Sequence, residues 1–212
     1  GNGRLHQVTS PTTIAEMTEA LREQINTNQP LRLIALSMGG MIASDWMIRY
    51  PHEVEAAVLI NTSARPFSPF YHRMRWMIYP QVIKMIVHSA QQRESDILSL
   101  TSNRHSHDSK LLECWKQWQQ QNPVSIASAR NQFLAAAKFS ITTKPKQPVL
   151  IITSQADRLV DYRCSLKLAK TWGGDYRQHE TAGHDLPLDE PEWLAQVIGQ
   201  WFDSACMFKT PS

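Results

Sequence analysis

Three side chains placed far apart in the chain have the types needed to attack a carbonyl together: Ser37 in LIALSMGGMIA, Asp157 in SQADRLVD and His184 in TAGHDLPLDEPEW. A serine hydroxyl is a weak nucleophile at neutral pH. It needs a histidine to take its proton and a carboxylate to hold that histidine in one tautomer. Ser37 follows the apolar run Leu31–Leu36 and precedes Gly39 and Gly40, the pattern of a tight turn from a buried strand into a helix. Such a turn exposes the hydroxyl at the carboxyl edge of a sheet. It also leaves the amide of Met38, at the helix start, placed to stabilise an oxyanion. Ala35 and Gly39, two positions before and after the serine, are small enough for the crowding expected there. By itself Ser-x-Gly-Gly also fits an ordinary turn, and Asp157 fits a capping aspartate with Asp161 as its rival.

The remaining histidines, His6, His52, His72, His88, His105, His107 and His179, fall on predicted helices, in the helical middle of the chain or within a weak strand. HSHD at 105–108 has no third ligand at helical spacing, so neither a metal nor any cofactor is expected. Cys114, Cys164 and Cys206 are odd in number and form no metal-binding spacing, which suits reduced thiols and a cytoplasmic location. A net charge of +3, spread without basic blocks, argues against a nucleic-acid partner. No apolar run approaches the roughly 20 residues of a membrane span. Hydrophobic residues at 42% against 19% charged instead describe a soluble globular chain able to bury a core.

The elements that must position these residues are legible from periodicity. Thr13 and Glu16 have capping-box spacing and begin an amphipathic helix with Ile14, Met17, Leu21 and Ile25 on one face. Leu31–Leu36 reads as a parallel strand covered on both faces, the glycines open a helix that Pro51 halts, and Ala56–Asn61 is a second buried strand. From Arg65 to about Lys144 the texture is helical, with helices predicted at Tyr71–His88, Ser95–Leu100, Lys110–Gln121 and Ile126–Phe139. Strand character resumes at Gln147–Ser154 and, more weakly, at Asp175–Glu180. A last helix from Pro191 places Leu194, Val197, Ile198, Trp201 and Phe202 on one face. The fold class is therefore α/β, with a mostly parallel sheet, helices on both faces and a helical insertion. The domains run over residues 1–64 (core), 65–144 (insertion) and 145–212 (core).

The order Ser, Asp, His, each after a buried-strand candidate, resembles the α/β-hydrolase superfamily. LSMGGMIA is similar to its nucleophile elbow, SQADRLV to its acid loop, and AGHDLPLDEPEWLAQVI to its histidine loop and final helix. The resemblance covers essentially the whole chain and makes residues 65–144 a helical cap. Ala35 stands where the family more often has glycine. GNGRL resembles the loop after the family's fourth strand. The resemblance thus implies that earlier strands, and the loop with the second oxyanion donor, lie outside this sequence. It follows that Leu31–Leu36 would form an unpaired edge and that the isolated chain would be feeble or aggregation-prone.

The resemblance implies a serine hydrolase. Ser37 would attack a small or medium carboxylic ester, His184 would act as base and acid, Asp157 would orient it, and Met38 would give one oxyanion N–H. Phe67, Phe70, Tyr71 and Trp76 are candidates for an apolar substrate pocket under the cap, although packing of the cap on the core would use the same residues. A thioesterase, lactonase, acyltransferase or cofactor-free peroxidase would use the same triad. A non-catalytic ligand-binding member of the fold would keep the pocket alone. Dehalogenases and epoxide hydrolases are disfavoured, because they carry aspartate where Ser37 stands.

Overall fold

A computed structural model of the chain describes residues 1–25, 27 and 29–207. Helix α1 (Ile14–Arg22) begins with the expected capping box: the Thr13 hydroxyl accepts from the Glu16 amide at 3.2 Å, and the Glu16 carboxylate accepts from the Thr13 amide at 3.1 Å. Strand β1 (Leu31–Leu36) leads through α2 (Met38–Arg49) to β2 (Val54–Ile60). The helices α3 (Phe70–Arg73), α4 (Tyr79–Val87), α5 (Ala90–Thr101), α6 (Ser109–Gln121) and α7 (Ile126–Lys138) then separate β2 from β3 (Val149–Ser154). Helix α8 (Arg163–Trp172), strand β4 (Asp175–His179), the short α9 (Leu186–Asp189) and α10 (Pro191–Met207) complete the order.

The four strands are parallel and lie in the order β1-β2-β3-β4. Parallel neighbours cannot be joined by a hairpin, so every connection leaves one strand at the carboxyl edge, crosses over the sheet and enters the next at the amino edge, and all strands end at the same edge. Successive side chains of the central strands serve opposite faces. Ala57, Leu59, Val149 and Ile151 pack with α1, α2 and α8, whereas Val58, Ile60, Leu150 and Ile152 pack against Leu186 of α9 and Leu194, Ile198 and Trp201 of α10. All of these β2 and β3 residues are buried. At about 1.5–3 kcal/mol for each fully buried aliphatic side chain, this double-sided core dominates the stability of the sheet.

The structure departs from the sequence reading at several elements, among them α5, which starts at Ala90 behind a Ser89 capping box rather than at Ser95. Strand β1 is not covered on both faces, since Ile34 is 58% exposed at the edge of the sheet. The single helix expected over Tyr71–His88 is broken between α3 and α4, where the Arg75 amide donates to Leu159 O at 2.9 Å instead of continuing a helix. Pro80 then sits in the first turn of α4, where its missing N–H costs nothing. On α1 the buried face ends early, leaving Leu21 and Ile25 exposed. Among the described residues no helix is long and apolar enough to cross a membrane.

Candidate active site

Ser37 follows β1 and immediately precedes α2, with φ 53° and ψ −116°. A positive φ in a residue with a Cβ is strained by roughly 1–3 kcal/mol, and such strain persists only where the surroundings enforce it. Here they do. The Ser37 amide donates to Ile60 O at 2.8 Å, extending the β1–β2 ladder by one residue, and the Ser37 carbonyl accepts from Gly40 N at 3.0 Å and from the Thr62 hydroxyl at 2.8 Å. The Ser37 hydroxyl does not cap the helix it begins. Of the two glycines that follow, Gly40 is the pressed one. A Cβ there would stand 2.7 Å from Thr62 Cβ, whereas one on Gly39 would meet Ala35 Cβ at an ordinary 3.8 Å. The crowding expected between positions 35 and 39 is therefore found one residue later.

Asp157 and His184 come from the loops after β3 and β4, at the same carboxyl edge. The His184 Nδ1 lies 2.7 Å from Asp157 Oδ2, and both residues are at most 5% exposed. The other carboxylate oxygen, Asp157 Oδ1, accepts from the amides of Leu159 (2.7 Å) and Val160 (2.9 Å), so the loop's own backbone aims the carboxylate at the ring. With Nδ1 engaged by Asp157, Nε2 is the ring nitrogen left for proton transfer. Asp161, the rival acid, is buried but turned away. It accepts from the Arg163 amide at 3.0 Å and pairs with Arg75 at 3.7 Å. Asp108 of the HSHD stretch is engaged as the N-cap of α6, accepting from the amides of Lys110 and Leu111. Cys114 and Cys164 are unpaired, and burial pushes the Cys164 thiol up to about 11, so it is protonated at neutral pH. The side chain of Cys206 lies outside the described part of the structure.

The sequence reading missed Asn61. This residue directly follows β2 and is, with Ser37, one of two non-glycine residues at positive φ among the described residues. Its buried carboxamide joins three segments. Nδ2 donates to His184 O at 2.8 Å and to Ser154 Oγ at 3.1 Å, while Oδ1 accepts from the Ser154 amide at 2.8 Å. The available signal was the abrupt change from the apolar AAVLI to polar NTS at 61–63. Of the pocket candidates, Phe67 is half-buried against the core, and Phe70, Tyr71 and Trp76 are exposed, with Phe70 and Tyr71 in edge contact at 5.4 Å.

A parallel sheet flanked by helices, with a strained serine turn after one strand and an acid–histidine pair after two others, is the architecture of the α/β-hydrolases. The sequence profile of the family described as serine aminopeptidase, S33, matches residues 12–191, and the chain belongs to this family. An esterase from Thermogutta terrifontis superposes with a TM-score of 0.70 at 20% identity, over 93% of this chain and 75% of that one. The enol-lactonase of Burkholderia xenovorans gives 0.74 at 18% identity, over 92% and 75%. A 2-hydroxy-6-oxo-6-phenylhexa-2,4-dienoate hydrolase from Rhodococcus gives 0.72 at 16%, over 92% and 74%. These three establish the shared fold. A homoserine O-acetyltransferase from Pelobacter propionicus is 35% identical over 85 residues, which span 36% of this chain and 23% of that protein.

Proposed function

We propose that the chain is a serine hydrolase that cleaves small or medium carboxylic esters through an acyl-enzyme, with residues 65–144 as its cap. The observation that carries the reading is the buried 2.7 Å contact between His184 Nδ1 and Asp157. It accounts for two carboxylate-directed amides and a buried imidazole that no packing role requires. Ser37 attacks the ester carbonyl, and His184 takes the hydroxyl proton at Nε2. The imidazolium formed is stabilised by Asp157, which stays ionised, and the proton then goes to the leaving alcohol. The Met38 amide, first in α2, gives one hydrogen bond to the tetrahedral oxyanion. Water attacks the acyl-enzyme by the same steps in reverse order of partners and frees Ser37. The apolar Phe70, Tyr71 and Trp76, close in sequence to the segment resting on Leu159, suit an aliphatic or aromatic acyl group rather than a charged one.

A fluorophosphonate that reacts only with activated serines tests this. Labelling of the wild type that is abolished in Ser37→Ala is the expected result, and a folded wild type that stays unlabelled overturns the reading. The match to an acetyltransferase favours one second outcome, transfer of the acyl group to an alcohol in place of water. Formation of a new ester when an alcohol is added to the ester assay distinguishes it.

A further inference from the structure

We propose that Asp189 is a positioning residue for His184, acting by fastening the loop of His184 to the turn that ends α5 in the helical segment. The proposal rests on the reading of His184 as the base. Asp189 is the last residue of α9, and Glu190 rather than Asp189 occupies the capping position of α10. The bonds of Asp189 go elsewhere. Oδ2 accepts from the amides of Gly183 (2.7 Å) and Asn103 (2.9 Å), and Oδ1 accepts from the Ser102 hydroxyl (2.5 Å) and the Arg104 amide (3.3 Å). The residue is 1% exposed, so all four donors converge on a buried carboxylate.

These bonds hold the residues on either side of His184 against one turn. Gly183 donates to Asp189 and packs so closely on that turn that a Cβ would lie 2.4 Å from Thr101 O. Asp185 donates its amide to the same Thr101 O at 2.8 Å. Between them the His184 carbonyl is held by Asn61. Three consecutive residues thus have their backbone fixed by three different segments, and two of the three anchors run through the Thr101–Arg104 turn. Every group facing Asp189 is a donor, so an amide at this position would set its own NH2 against an N–H. The consequence is that displacement of the helical segment near Thr101 moves the imaginary hinge of the His184 ring with it, and the segment's position sets the alignment of Nδ1 on Asp157.

The low-field proton resonance of the His184 Nδ1–H bonded to Asp157, read beside the fluorophosphonate labelling rate, separates positioning from stability. In Asp189→Asn the resonance is expected to broaden or vanish and labelling to slow by about 10- to 100-fold, the scale of a misplacement of about 1 Å. Ser102→Ala keeps the carboxylate and three donors, and is expected to shift the resonance and slow labelling by about 3- to 10-fold, the scale of one ordinary hydrogen bond. Asp175→Ala removes a remote bond from Trp201 Nε1 at 2.7 Å and is expected to leave the resonance in place. An unchanged resonance in folded Asp189→Asn, or in Ser102→Ala if the first variant does not fold, overturns the proposal. A wild type that shows the resonance but no Ser37-dependent labelling overturns instead the hydrolase reading, and the role of Asp189 in a base falls with it.

Discussion

Two regions of the helical segment between β2 and β3 are built on opposite terms. The turn at Ser102–Arg104 is polar, and its side chains and amides are bonded to the loops of Asp157 and His184. Besides the bonds to Asp189, Asn103 Nδ2 donates to Ala156 O and Thr181 O, and Arg158 donates to Ser102 O. The stretch from Trp76 to Val87 is largely apolar, and although Ile78 is buried, four of its large side chains face solvent: Trp76 is 67% exposed, Met77 70%, Ile83 64% and Val87 83%. The difference teaches where precision is needed. The proposed proton transfer by His184 tolerates little displacement, and the surroundings of that residue are pinned by directional bonds. An apolar surface gains from burial in proportion to area, without direction.

The comparison can be broken most forcefully at the pinned end. Asp157→Asn keeps the volume but presents the wrong group to Nδ1, and labelling of Ser37 is expected to fall by about 10,000-fold with the fold intact by circular dichroism. A loss under tenfold would mean that the ring is held without its carboxylate.

Acid provides a second, smaller lever. Burial pushes the Asp189 carboxyl up, but the Ser102 hydroxyl and the amides of Asn103, Gly183 and Arg104 outweigh burial and hold it below the ordinary value. A carboxylate lowered on folding contributes stability that is fully present above its unfolded value of about 3.9 and is lost as pH falls through its folded value. Urea midpoints of the wild type are expected to drop as pH falls below about 4, while Asp189→Asn, weaker at neutral pH, declines less over the same window. Parallel declines would show that the charge of Asp189 is not what fastens the turn.

The smallest effect is expected at the apolar end. Ile83→Ser and Val87→Ser should each change stability by no more than about 0.5 kcal/mol, because neither removes a buried contact. A loss above about 1 kcal/mol in thermal or urea unfolding would show that this surface is packed, and the contrast between the two regions would fail.

What could be read in the sequence was whatever is local. The Thr13–Glu16 box spans four residues, the turn at Ser37 five, and the alternating faces of β2 and β3 are set by each strand's own apolar run. The order of Ser37, Asp157 and His184 was legible because each follows a strand, and parallel strands end at one edge. Asn61 and Asp189 were not legible. Their partners lie 93 and 123 residues away for Asn61, and 85 to 87 for the bonds of Asp189 to the Ser102–Arg104 turn, so the local pattern names none of them, and the change from AAVLI to NTS marks only where the apolar run of β2 stops. The break between α3 and α4 was hidden for the same reason, since the acceptor of the Arg75 amide is Leu159 O. Exposure of Ile34 follows from the place of β1 at the sheet edge, which the residues of the strand do not encode.

The carboxamide of Asn61 ties the ends of two strands to the carbonyl of His184, and it does so from a backbone conformation that few residues adopt. Local opening of a protein proceeds in cooperative units. A single side chain that belongs to three segments makes them one such unit: the end of β3 cannot loosen without releasing the loop of His184, and that loop cannot swing out alone. Opening that begins at β1 or at the outer helices can leave this unit intact, whereas the ends of β2 and β3 and the loop of His184 open together or stay closed.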